Sequence, residues 1–201
     1  MSHEIFIMTL VNKMVKAGPG RLYISSIILT LFLVVSIFPS GNLSAAPNIS
    51  AFKTYTDPLN RFSIKFPATM KVEEPNPDEI RIYHPNATFR INISIENRLK
   101  KGPPDATAFI KAFKQNLKLE TKQPEILKEG SSKNIKGAQA YLIYAFTDKR
   151  GIRLMQLYQY YATEDRFLQL IITDRIEGFK NLEKIISEIH ESFKILKPRL
   201  Q

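Results

Sequence analysis

The sequence predicts an α+β fold, a three-layer α/β/α sandwich around a central twisted antiparallel sheet. Most of the chain alternates apolar and polar residues with a period of two, and it switches to helical spacing at two places only. Three long strand-like runs follow one another through short polar gaps, the pattern of consecutive hairpins. Those runs are apolar on both sides, so both faces of their sheet must be covered, and the two helices can cover them.

The elements can be justified in chain order. "FKTYTDPLNRFSIKFP" reads as two short strands around Asp57-Pro58-Leu59-Asn60, which has turn chemistry. In the second strand Phe62, Ile64 and Phe66 share one face and Ser63 and Lys65 the other; Pro67 ends it. "EEPNPDE", with two prolines and four acids, predicts a loop. "IRIYHP" and "ATFRINISIEN" predict strands, the latter with Phe89, Ile91, Ile93 and Ile95 on one side. Asp105 is the expected N-cap of an amphipathic helix that carries Ala106, Phe109, Ile110, Phe113 and Leu117 on one stripe. Gln123-Pro124 breaks the chain, and strands resume at Glu125 with an expected interruption at Gly130. Polar gaps at 148–151 and 163–165 then delimit strands over 138–147, 151–162 and 166–173. A closing helix carries Phe179, Leu182, Ile185, Ile186, Ile189 and Phe193 on one stripe.

At 201 residues the chain holds one ordinary domain and something extra. The extra piece is N-terminal. Lys13, Lys16 and Arg21 precede an apolar run from Tyr23 to Phe38, and "PSGNLSAAP" follows. A basic flank, an apolar core and small residues at a cut site form the secretory signal pattern. Cleavage is expected after Ala45, which makes residues 1–45 a signal peptide and 46–201 a single domain. The run is 16 residues long and contains three serines, short of the roughly 20 apolar residues of a spanning helix. The address is therefore extracytoplasmic, periplasmic in a Gram-negative cell, with an inner-membrane anchor as the alternative. Cysteine is absent, and a domain of this size can bury a sufficient core without disulfides.

The formal net charge is +10, and removing residues 1–45 leaves 26 basic against 18 acidic residues, a net of +8. The lysines are dispersed and no nucleic-acid motif occurs, so no nucleic-acid partner is expected. The basic balance fits either a solvated surface or attraction to an anionic membrane.

The stretches "TYTDPLNRFSIKFP", "KGAQAYLIYAFTDKRGIRLMQLYQYYATEDRFLQLIITD" and "FKNLEKIISEIHESFKI" resemble the PsbP-like family. That family is named for the extrinsic lumenal protein of photosystem II; it includes bacterial envelope proteins and a fungal Ran-binding relative. The resemblance spans residues 52–196 and lies in pattern rather than in a catalytic signature. It implies the same α/β/α sandwich and a binding or assembly role without enzymatic activity. It does not imply a photosystem role, because the plant protein's docking extension has no counterpart here.

The chemistry-bearing residues agree with that expectation. Nucleophilic catalysis needs an activated nucleophile and a base. Here there is no cysteine and no G-x-S-x-G elbow, and His84 and His190 come without a partner pattern. Gly130 and Gly137 are isolated, so no phosphate loop is formed. His84 with Glu73, Glu74, Asp78 and Glu79 is the one local set that could hold a divalent cation, against the plainer reading of a solvated acidic loop. No cofactor or metal is expected.

The stretch "LYQYYATEDRFLQL" supplies the candidate surface: Tyr158, Tyr160 and Tyr161, with His84 as a further candidate. The tyrosines leave both faces of one strand, so most of them should be core, and one lying beyond the end of a covering helix would be exposed to a ligand. The function expected is a non-enzymatic extracytoplasmic binding module with a protein partner in the cell envelope. The alternative is a carrier of a lipid or another apolar ligand.

Overall fold

The structure is a computed structural model that describes residues 51–97, 106–134 and 137–196. The expected signal segment and the helix cap at Asp105 lie outside the described residues. Among the described residues no helix is long and apolar enough to cross a membrane.

Among the described residues ten strands and three helices form two sheets and their cover. The strands β1 (Phe52–Thr56) and β2 (Phe62–Pro67) pair antiparallel around the expected turn. Asn60 takes the left-handed conformation there at φ 57°, which an asparagine tolerates. Asp57 fixes the same turn: its carboxylate accepts from the Arg61 backbone N–H at 3.0 Å and from the guanidinium at 2.8 Å, and both side chains are buried.

The strands β3 (Lys71–Asn76), β4 (Glu79–Tyr83) and β5 (Arg90–Asn97) follow as an antiparallel meander. Helix α1 (Ala106–Glu120) leads into β6 (Lys122–Asn134), β7 (Gly137–Thr147), β8 (Arg153–Ala162) and β9 (Arg166–Arg175). The chain closes with α2 (Ile176–Asn181), α3 (Glu183–Ser192) and β10 (Lys194–Ile195). The larger sheet has seven strands in the order β3-β4-β5-β9-β8-β7-β6; the smaller has the order β1-β2-β10.

Each face of the large sheet has its own core, as two-sided apolarity requires. On one face Ile82, Ile91, Ile93, Leu168, Leu170 and Ile172 meet Phe62, Ile64 and Phe66 of β2 and Phe179, Ile186 and Ile189 of α2 and α3. On the other, Leu142, Tyr144, Phe146, Leu154 and Tyr158 meet Ile110, Phe113 and Leu117 of α1. The α+β sandwich predicted from periodicity is therefore present. One outer layer, however, is a mixture: the small sheet shares it with α2 and α3.

Four expectations are corrected. "KVEEPN" is the strand β3 rather than loop; its residues are almost all exposed, as suits an edge strand that carries charge and proline. Strand β6 does not stop at Gly130. The ring of Tyr141, its partner across the ladder, lies where a side chain at Gly130 would sit, with Cε1 2.5 Å from an ideal Cβ position. The missing side chain is thus replaced by a neighbour's ring, and the strand continues. The closing helix is two helices that meet at Leu182, whose φ and ψ of −103° and 11° depart from helical values. Finally, "KI" after Phe193 is not helical but forms β10, paired with Ser63 and Phe62 of β2.

Candidate functional site

Strand β8 positions the three candidate tyrosines by its pleat. Tyr158 and Tyr160 leave on the α1 side and Tyr161 on the opposite side. All three are buried: Tyr158 is 0% exposed, Tyr160 4% and Tyr161 9%. The exposed tyrosine expected beyond a helix end does not occur, because each ring is matched by a phenylalanine. Phe109 stacks on Tyr160 with centroids 3.6 Å apart and planes within 4°. Phe113 packs on Tyr158 at 4.4 Å, and Phe193 stacks on Tyr161 at 5.0 Å. Apolar and aromatic side chains of α1 and these strands pack into one cluster.

The hydroxyls are also engaged. Tyr158 donates to Gln169 Oε1 at 2.7 Å, and Tyr144, its neighbour one strand over, donates to Gln156 Oε1. Burial pushes the phenols of Tyr144, Tyr158 and Tyr161 well above their ordinary range, so they stay protonated. The turn after β8 is locked by Thr163, whose hydroxyl donates to Asp165 at 2.7 Å; the neighbouring Arg166 guanidinium holds the Asp165 carboxyl down to about 2.

His84 is not part of this group. It sits in the β4–β5 turn, where its Nδ1 accepts the Asn86 backbone N–H at 3.3 Å, and β5 and β9 separate its strand from β8. The acids named beside it face other partners. Glu79 pairs with Arg81 at 2.7 Å, Asp78 with Arg61 at 2.6 Å, and Glu74 accepts the Tyr55 hydroxyl at 2.8 Å. Among the described residues no three acids, histidines or cysteines converge as a metal set.

The structure reveals a second feature beside the tyrosines, on the same sheet face but beyond α1, which packs over β6 and β7. On β5 this face is polar, and on β9 it alternates polar and apolar residues. Arg90, Asn92, Ser94 and Glu96 share it on β5; Phe167, Gln169, Ile171, Thr173 and Arg175 share it on β9. Cross-strand pairing sets Arg90 opposite Thr173 and Gln156, and Ser94 opposite Gln169 and Tyr160. Asn92 (6% exposed), Gln169 (1%) and Thr173 (2%) are buried. Asn92 Nδ2, Gln169 Nε2, Thr173 Oγ1 and Arg175 Nε are buried there with no hydrogen-bond partner. Three of them only donate; the Thr173 hydroxyl can donate or accept.

Arginines and carboxylates meet at one end of this strip. Arg81 and Arg150 lie near Arg90, each in an ion pair, with Glu79 and with Asp148, and Arg175 and Arg90 both act on Asp174. Burial, then Arg150 and Arg81, push the pKa of Arg90 down, opposed by Asp174. Burial raises Asp174, and its hydrogen bonds from Thr88 and from the Arg175 backbone N–H oppose the rise. The polar alternation of Arg90, Asn92 and Ser94 was visible in the sequence, as were the glutamines inside apolar strands. Only the register between β5, β9 and β8 brings them to one place.

The structure defines a class first: a three-layer α+β sandwich with a filled core on each face of one antiparallel sheet. Solved structures share it. CyanoP, the PsbP of the cyanobacterium Synechocystis sp. PCC 6803, superposes with a TM-score of 0.57 at 10% identity, over 79% of this chain and 98% of that one. LpqN of Mycobacterium tuberculosis, which is involved in cell envelope biogenesis, gives 0.51 at 14%, over 78% and 99%. The Ran-binding protein Mog1p of Saccharomyces cerevisiae gives 0.51 at 10%, over 72% and 95%. The chain therefore carries the PsbP-like fold that its sequence resembles. No family model and no curated protein matches the sequence itself.

Proposed function

We propose that the chain is a non-enzymatic binding or assembly module that works outside the cytoplasm with a protein partner in the cell envelope. The observation that carries this reading is the fold, held in common with an envelope-biogenesis protein and a Ran-binding protein over most of each chain. Fold likeness at this identity is an analogy, and residues must support it. They do so in two ways. The aromatic side chains that would line a reactive pocket are interlocked, and the buried phenols stay protonated, so none serves as a base at neutral pH. The basic flank and apolar run before residue 46 supply the export signal that an envelope address needs.

The test is crosslinking in the source cell with a tagged chain, followed by reconstitution with the purified candidate partner. A complex that forms from purified components supports the reading. Failure to recover any specific partner, together with turnover in a substrate panel that persists through repurification, would refute it. Fractionation of the same cells tests the address: the tagged chain is expected in the envelope or extracytoplasmic fraction, and recovery in the cytoplasm would remove it.

A further inference from the structure

We propose that the strip on the α1-side face of β5 and β9 binds a small ligand bearing an oxyanion, a carboxylate or phosphate, whose oxygens accept from Asn92, Thr173 and Arg175. This inference stands apart from the protein-partner reading, and either can fail alone.

Three observations carry it. The first is orphaned donors. Asn92 Nδ2, Gln169 Nε2, Thr173 Oγ1 and Arg175 Nε are buried without acceptors, and they belong to two adjacent strands on one face. Buried polar groups are normally satisfied, so a cluster of orphans calls for something that completes it.

The second is the sign of what is missing. A water molecule in such a place accepts two hydrogen bonds but must also donate two. The amide oxygens beside these donors each already accept one hydrogen bond, Gln169 Oε1 from Tyr158 and Gln156 Oε1 from Tyr144. An oxyanion has acceptors only, so it can take the hydrogens of Asn92, Thr173 and Arg175 together without needing acceptors of its own, which a water in that place would need.

The third is charge. Arg90 and Arg175 act on Asp174 at the Thr173 end, beside the ion pairs Arg81–Glu79 and Arg150–Asp148, while Glu96 lies at the opposite end of the strip on β5. The oxyanion therefore belongs at the arginine end. Gln169 is two residues beyond Ile171 and four from Thr173, roughly 13 Å along the strand from it. It can serve a second acceptor of a longer ligand, and not the same anionic group.

The strip is continuous with the tyrosine layer through Gln169 and Gln156. This gives the buried Tyr158 and Tyr144 hydroxyls a role: each fixes its glutamine oxygen, which leaves the amide nitrogen of Gln169 free to donate.

The experiment measures thermal stabilisation and calorimetric binding of the purified protein with inorganic phosphate and with citrate, against sodium chloride at matched ionic strength. Flotation with vesicles of anionic phospholipid forms a second arm. The variants are Thr173→Val and Arg175→Met, with Lys180→Met as a surface-charge control. The proposal expects phosphate or citrate to raise the melting midpoint, and each site variant to weaken binding about tenfold, the worth of one charge-assisted hydrogen bond. Lys180→Met should leave binding unchanged. If only vesicles bind, and the same two substitutions abolish flotation, the oxyanion is a lipid headgroup and the site stands. Two results overturn it: no binding in either arm, or stabilisation that Thr173→Val and Arg175→Met leave intact. The melting midpoint of each variant without ligand reports on folding, so a loss of binding in a well-folded variant is attributable to the site.

Discussion

The two faces of the large sheet are built from the same strands and solve burial differently. On the face toward β2, α2 and α3, the strands β4, β5, β9 and β8 contribute apolar side chains, and Phe62, Phe193 and Tyr161 stack in series. On the face toward α1, only the half beneath the helix is closed by apolar and aromatic rings. The other half, over β5 and β9, sets amides, hydroxyls and guanidiniums, some of them orphaned, between Ile171 and Phe167. A strand can supply both faces because its side chains alternate, so β9 places Leu168, Leu170 and Ile172 in one core and Gln169 and Thr173 in the polar strip. Folding explains the first set. It does not explain the second, since buried unsatisfied groups cost stability. Residues that cost stability and still hold one face mark where a function is accommodated.

The sharpest way to break the comparison is at the closed face. Phe62 is 0% exposed and stacks on Phe193 at 5.4 Å. Truncation by Phe62→Ala removes a large ring and leaves a cavity, which typically costs about 3–5 kcal/mol. Urea denaturation should show that loss as a lower midpoint, with circular dichroism still native in the absence of denaturant. A loss below about 1 kcal/mol would mean that the small sheet is not part of the main core.

On the aromatic half of the other face the expected loss is smaller. Tyr158→Phe keeps the ring on Phe113 but removes the donor to Gln169, leaving the amide oxygen unpaired as well. The expected cost is about 1–3 kcal/mol, the penalty for stranding a buried polar group. No measurable change would show that Gln169 finds another partner, and the hydroxyl would lose its place beside the strip.

On the polar half the sign should reverse. Thr173→Val removes an orphaned buried hydroxyl and keeps the side chain's shape. Without ligand the variant should equal or exceed the native chain by up to about 1 kcal/mol in urea denaturation. A clear loss would mean that this hydroxyl is satisfied in solution, and the contrast between the two halves would disappear.

These contrasts also explain what could be read in the sequence. The central hairpins β7, β8 and β9 and the amphipathic stripe of α1 were legible because burial imposes a period on them. Strand β3 was not, since an exposed edge strand rich in glutamate and proline has no buried side to alternate with. Gly130 looked like a break because its stabilising ring, Tyr141, comes from the next strand. The burial of Tyr158, Tyr160 and Tyr161 was half legible. Their division between faces follows from parity, but Phe109 and Phe193 as their covers required the packing. The polar strip was the least legible part: Asn92 and Thr173 are far apart in sequence, and each alone looks like an ordinary solvent-facing strand residue.

The closed face offers one further, smaller contrast, in its response to pH. His190 on α3 is half-buried between the apolar residues Ile186, Ile189 and Phe193, and its Nε2 is buried without a partner. Burial pushes its pKa below the ordinary histidine value, and the adjacent Glu191 only partly opposes this. The folded state therefore takes up a proton less readily than the unfolded chain, whose histidine titrates near about 6.5. Below that pH the unfolded state binds more protons, so stability falls as pH drops through it, and is fully present above it. Urea denaturation at a series of pH values between 7.5 and 5 should show this decline in the native chain, and His190→Gln should flatten it. The Arg90 guanidinium on the polar face should contribute nothing to that slope, because it stays charged in this range. A decline that persists unchanged in His190→Gln would move its origin elsewhere, and not to Asp174, whose carboxyl, raised by burial, binds protons more readily in the folded state and so favours folding as pH falls.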